Sequence, residues 1–101
     1  MGEFKITNAS GFHLTFDNGY TVSTQFGYGS YSENYTNNKA VNNPKSNNCE
    51  VAIFRGTSES WDTKIFFEKI GIKLSDDVAP QVDMVTWLKI IEIVKNEPKE
   101  A

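Results

Sequence analysis

The sequence predicts an α+β domain: a small antiparallel sheet of about four strands packed by one C-terminal helix. Three observations predict it. Phe12, Leu14 and Phe16, then Tyr20, Val22, Thr24 and Phe26, alternate with polar residues at the two-residue period of half-buried strands. The run Cys49-Glu50-Val51-Ala52-Ile53-Phe54-Arg55 repeats that period, with Cys49, Val51 and Ile53 on one face. Residues 80–96 string apolar pairs between single polar residues, and no turn signal interrupts them until Asn96.

Taken in order, Glu3–Thr7 is a short alternating strand with Phe4 and Ile6 on one face, and Asn8-Ala9-Ser10-Gly11 is a turn cluster. The register of the hairpin that follows is decided by its residues. A two-residue Asn18-Gly19 loop sets Phe16 opposite Thr21 and mixes the faces. A three-residue Asp17-Asn18-Gly19 loop sets Phe16 opposite Tyr20 and Leu14 opposite Val22. Directly paired residues share a face, so the hydrophobic pattern selects the second register, with Gly19 in the left-handed position of a bulged turn. The opposite face carries His13, Thr15, Thr21, Ser23 and Gln25, polar but uncharged, and suited to solvent or to a partner.

Residues 27–48 read as a long loop. They hold tyrosines at 28, 31 and 35, seven asparagines from Asn34 to Asn48, and no apolar period. A loop of that length in a small domain points to function or disorder. Residues 61–70 fit either a strand, by the β-propensity of Ile65-Phe66-Phe67, or a helix, by the spacing of Ile65, Phe66, Lys69 and Ile70; the strand is the expectation. The helix is expected over 80–96, with Pro80 in its first turn and Asp83 near its positive end. Its polar residues, Asp83, Thr86, Lys89, Glu92 and Lys95, recur every third position. At 100° per residue that spacing drifts around the surface, so apolar side chains encircle much of the helix. One small sheet cannot cover them all, which predicts an interface there, with a homodimer through the C-terminal helix as one form.

Composition bounds the function. The 101 residues make a single domain, with 39% hydrophobic and 13% aromatic residues, enough for one core. The formal net charge of −3 argues against sequence-independent nucleic-acid binding, which needs a basic footprint, and suits a basic protein surface as partner. One cysteine, Cys49, allows no internal disulfide and suits a reducing cytoplasm. No run reaches membrane-spanning length, and the first residues lack the basic and apolar regions of a secretion signal.

The chemistry-bearing residues are sparse. His13 is the single histidine and has no motif-borne nucleophile, so it reads as a surface residue of the hairpin. Cys49 reads as a small buried hydrophobe. One histidine and one cysteine do not make a zinc site, Gly27-Tyr28-Gly29-Ser30 lacks the lysine of a phosphate loop, and no cofactor motif is present. The expectation is a protein that is not an enzyme. Tyrosine among serine, glycine and asparagine is a composition suited to recognition, giving large rigid contact at low entropy cost. Tyr28, Tyr31, Tyr35 and Asn34 in the loop, with Trp87 and Ile91 on the helix, are the candidate partner-binding residues.

The string Gly11–Tyr35, GFHLTFDNGYTVSTQFGYGSYSENY, followed by Glu50-Val51-Ala52-Ile53-Phe54, resembles a family of small phage-encoded proteins with the pattern F-H-L-T-F-x-N-G-x-T-V-S-x-Q-x-G-x-G-x-Y. The Asn-rich loop here is longer than that pattern. The family carries no assigned activity, so the resemblance brings no catalytic residues. It implies phage origin and, by analogy with small acidic phage proteins, a non-catalytic protein that binds and inhibits a host or anti-phage defence protein in the host cytoplasm. The alternative expectation is a dimeric sponge for a nucleotide signal, its pockets lined by the tyrosines.

Overall fold

The computed structural model describes residues 2–7, 11–26, 46–56 and 61–99. Five strands form one antiparallel sheet in sequence order: β1 (Glu3–Thr7), β2 (Gly11–Thr15), β3 (Tyr20–Gln25), β4 (Asn48–Arg55) and β5 (Ala79–Asp83). Among the described residues two helices join it, α1 (Thr63–Glu68) and α2 (Met84–Lys95). The class is α+β as the sequence predicts, with one strand more than the expected four.

The β2–β3 hairpin adopts the register that the hydrophobic pattern selects. Leu14 faces Val22 and Thr15 faces Thr21. Phe16 N–H donates to Tyr20 O at 2.9 Å and Gly19 N–H to Phe16 O at 3.0 Å, closing the three-residue loop. Gly19 sits at φ +92°, a conformation that a side chain would strain.

Two expectations are corrected. Residues 61–70 are not a strand: Thr63–Glu68 form α1, and Phe66 and Phe67 are both buried. In a strand adjacent side chains point to opposite faces, so one phenylalanine would be left in solvent. A helix keeps both within one inward-facing sector. Asp62 and Thr63 first dock on β4. Asp62 N–H donates to Ile53 O at 2.8 Å, and Thr63 Oγ1 accepts from Ile53 N–H at 2.8 Å.

The C-terminal helix does not span 80–96 but Met84–Lys95. The residues before it form β5, an edge strand on which Pro80 is tolerated because it has no N–H to leave unpaired. The pairing with β4 slips between Val51 opposite Ala79 and Cys49 opposite Val82, a β-bulge, and Gln81 there takes φ +48°. Asp83 is then the N-cap, its carboxylate accepting from Thr86 N–H at 2.8 Å.

The core lies over β3, β4 and β5. Val22, Val51 and Ile53 from the sheet meet Phe66 and Phe67 of α1 and Ile90 and Val94 of α2, all of them buried. Helix α2 lies against β3 and β5, and α1 against β4 and α2. On β2, Leu14 is buried and Phe12 meets Trp87 of α2, while β1 extends the sheet beyond that cover.

Candidate functional site

The open part of the sheet and the near flank of α2 make one apolar surface. On β1, Phe4 and Ile6 pair with Leu14 and Phe12 of β2, which places them on the core face of the sheet. Among the described residues no helix covers them, and they are 80% and 82% exposed. On α2, Ile90 and Val94 mark the inward direction. Trp87 lies at its edge and touches Phe12, with ring centroids 6.3 Å apart at an edge-on 77°. Helical periodicity sets Met84, Leu88 and Ile91 one step further around on that flank. Met84 is 72% exposed and Leu88 54%. Strand pairing and helical phase together set Phe4, Ile6 and Phe12 as the floor of a trough whose wall is Met84 and Trp87, with Leu88 at its rim.

Where β2, β3 and β4 meet the start of α2, the trough deepens into a cleft of about 280 Å³. Phe12, Phe26, Trp87, Met84 and Val82 give it apolar walls, while Ser46, Asn47 and Asn48 lie at a polar side. Phe12 and Phe26 lean against each other at 6.3 Å. The polar group in the wall is Thr24, whose Oγ1 accepts from Trp87 Nε1–H at 2.9 Å and so fixes the indole. The cleft therefore offers ring faces and edges, a thioether and side-chain amides, a set that holds a flat apolar body by packing and orients it from one side.

Cys49 also lines the cleft, but its chemistry is quiet. Burial first, and the charge of Glu50 second, push its thiol up to about 12, and Sγ–H donates to Val82 O at 3.6 Å. A thiol that stays protonated is a poor nucleophile.

The second face of the sheet is a polar ladder. Thr15 and Thr21 hydroxyls bond at 2.9 Å, and Gln25 Nε2–H donates to Thr7 Oγ1 at 2.7 Å and to Ser23 Oγ at 3.3 Å. His13 stands in that ladder edge-on to Phe54 at 5.6 Å, and Phe54 in turn meets Trp61 at 5.9 Å. Burial and then the charge of Lys5 hold the imidazole below its ordinary pKa, so it is neutral at pH 7. Among the described residues no three of His, Cys, Asp and Glu gather as metal donors, and no helix is long and apolar enough to cross a membrane.

Of the residues expected to contact a partner, Tyr28, Tyr31, Tyr35 and Asn34 lie outside the described residues. Trp87 and Ile91 are half-buried and packed against the core, so they supply the root of the trough wall more than its surface. The exposed residues of the trough, Phe4, Ile6, Met84 and Leu88, are ones the residue pattern did not single out. Their signal was present for β1: two apolar residues alternate on a strand too far out for one helix to cover. Comparison with protein-family models, with curated proteins and with solved structures finds no match.

Proposed function

We propose that this chain is a non-catalytic, phage-encoded interaction protein that binds and inhibits a host or anti-phage defence protein in the host cytoplasm. The observation that carries the interaction reading is the exposed apolar trough between β1 and α2. Apolar side chains as exposed as Phe4, Ile6 and Met84 raise the cost of a solvated surface unless a partner covers them. The phage origin and the inhibitory role rest on the resemblance of Gly11–Tyr35 to small phage proteins. The chain's −3 charge suits a partner with a basic rim around an apolar ridge. Tyr28, Tyr31, Tyr35 and Asn34 enter this reading on sequence grounds alone, and Trp87 and Ile91 as the support beneath Met84 and Leu88.

The test is capture from host lysate with tagged wild-type chain and with Met84→Glu/Leu88→Glu, followed by assay of the captured protein. The reading expects a stoichiometric partner held by the wild type and lost with the variant, whose activity falls as wild-type chain is titrated in. Capture that ignores the two glutamates, or a partner whose activity is untouched, overturns it. Both substitutions lie on exposed positions, so equal melting temperatures verify that folding is intact.

A second reading is favoured by the cleft: a binder of a small flat ligand such as a nucleotide signal, stacked among Phe12, Phe26 and Trp87 with Asn47 and Asn48 at its polar edge. It predicts stabilisation that grows with ligand concentration, about 2.7 kcal/mol at a hundred times Kd.

A further inference from the structure

Strand β1 is one edge of the sheet, and its hydrogen-bonding direction can be read from the hairpin. Phe16 is bonded to Tyr20, so the even-numbered residues of β2 turn their N–H and C=O groups toward β3. The odd-numbered ones, Gly11, His13 and Thr15, therefore turn theirs toward Thr7, Lys5 and Glu3 of β1. That leaves Phe4 and Ile6 directing their backbone groups outward from the sheet. Glu3–Thr7 contains no proline and no bulge to blunt this edge.

We infer that β1 pairs antiparallel with β1 of a second copy about a two-fold axis at Phe4, joining the two five-stranded sheets into one. Three physical constraints select the partner and the register. Backbone bonding requires that Phe4 and Ile6 meet outward-facing residues of the second chain, which excludes every register that sets an even-numbered residue against an odd-numbered one. Of the registers that remain, two pair both Phe4 and Ile6 with described residues of the second chain. In one, Lys5 lies directly opposite Lys5 of the second copy, a repelling pair. In the other, Phe4 lies opposite Phe4, Ile6 opposite Gly2, and Glu3 opposite Lys5 twice over.

The second register satisfies all three demands at once. Its hydrogen-bonded pairs fall on Phe4 and on Ile6 with Gly2. Its apolar side chains meet on one face. Its charges, all on exposed residues of the other face, are complementary and sit in the closer, non-hydrogen-bonded pairs. A lysine on an edge strand normally discourages pairing, whereas here Glu3 converts it into a selector for this chain's own edge. The contact is isologous, as a two-fold requires. It sets the floors of two troughs side by side and does not depend on the inhibitor reading.

The test measures oligomeric state by sedimentation and native mass spectrometry at high micromolar concentration, for the wild type, E3K, K5E, an equimolar mixture of those two, and Leu88→Glu. The wild type and Leu88→Glu should be dimers. E3K and K5E alone should each dissociate with a Kd raised about tenfold, since each turns both charge pairs repulsive. Their mixture should return to dimer, with the E3K:K5E heterodimer exceeding either homodimer, because it restores both pairs and also proves that the variants fold. A wild type that stays monomeric overturns the inference. So does a dimer insensitive to E3K and K5E, or one lost with Leu88→Glu, which would place self-association on α2. Loss of partner capture with dimerisation intact would instead count against the inhibitor reading alone.

Discussion

Asn18 Nδ2–H donates to the main-chain oxygen of Val94 at 2.7 Å, across 76 residues of chain. The same amide donates to Glu97 O at 2.9 Å, and its Oδ1 accepts from Tyr20 N–H at 3.0 Å. A turn residue of the β2–β3 hairpin thus bonds the last turn of α2 and the residue two beyond its end, adding a second donor to Val94 O, which also accepts from Glu97 N–H at 3.2 Å. One side chain sets the helix's end against the sheet, and so aims its other end at the trough.

Asn18→Ala should therefore cost about 2–3 kcal/mol in denaturant unfolding, for three hydrogen bonds lost at a partly buried site where Val94 O keeps Glu97 N–H. Asn18→Asp should cost more at pH 7, because it turns a carboxylate toward two carbonyl oxygens and the negative end of a helix. Those neighbours raise the folded pKa of the introduced carboxyl above its unfolded value near 4. Its stability is then greatest below that unfolded value, where the protonated acid can donate, and is lost as pH rises through the folded one. A stability gap between Asn18→Asp and Asn18→Ala that fails to narrow on acidification would exclude this account.

The Trp87–Thr24 bond makes a second prediction. Thr24 is buried, and Trp87→Phe removes the donor to its hydroxyl while keeping most of the ring. The cost should be about 1–2 kcal/mol, a fall in Tm of about 4–8 °C for each kcal/mol in a domain of this size. Adding Thr24→Val to Trp87→Phe should recover part of it, since both polar partners are then gone. Additive losses in the double variant would show that the bond contributes nothing of its own.

The hairpin was the most legible part of the chain, and for a physical reason. Strand pairing has a period of two, so a one-residue slip would have moved Phe16 and Leu14 to the polar face, and the pattern alone decides the register. The segment 61–70 was not legible by propensity, because Phe66 and Phe67 are strand formers held in a helix by a corner of the core that receives both. The start of α2 was obscured by Pro80, which suits the first turn of a helix and the edge of a sheet equally well. Asp83, immediately before the first apolar pair, carried the better signal as a cap. The sequence also announced an over-apolar helix, but its exposed positions follow from where the sheet lies, and Met84 and Leu88 appear only once that is known.

Asp83 ties stability to acid. Its carboxyl is held below its ordinary pKa, chiefly by the hydrogen bond from Thr86 N–H at the helix N-terminus. A depressed folded pKa means that the contribution is present above the unfolded value and is lost as pH falls through the folded one. Asp83→Asn keeps a capping oxygen without the charge, and should flatten the acid limb of the stability curve while changing stability little at pH 7. Asp83→Ala should lower stability at pH 7 as well. An unchanged acid limb in Asp83→Asn would assign the acid sensitivity to other carboxylates.

Cys49 gives the last prediction, and it concerns both reactivity and alkali. Its thiol is pushed up to about 12 by burial and by Glu50, so it is protonated at pH 8 and shielded within the sheet. A maleimide or aromatic disulfide reagent should leave the native chain unmodified over times that label the unfolded chain completely. Modification should then follow the opening of the fold, slowing as stabilising conditions reduce the unfolded population. Because the folded pKa is raised, the thiol's contribution is fully present below the ordinary value of 9.0 and declines above it, where the unfolded chain ionises first. Cys49→Ala should remove that alkaline decline, at the cost of a small cavity beside Val82. Rapid labelling of native protein at neutral pH would instead mean that the cleft admits the reagent and that this thiol ionises far more readily than its surroundings imply.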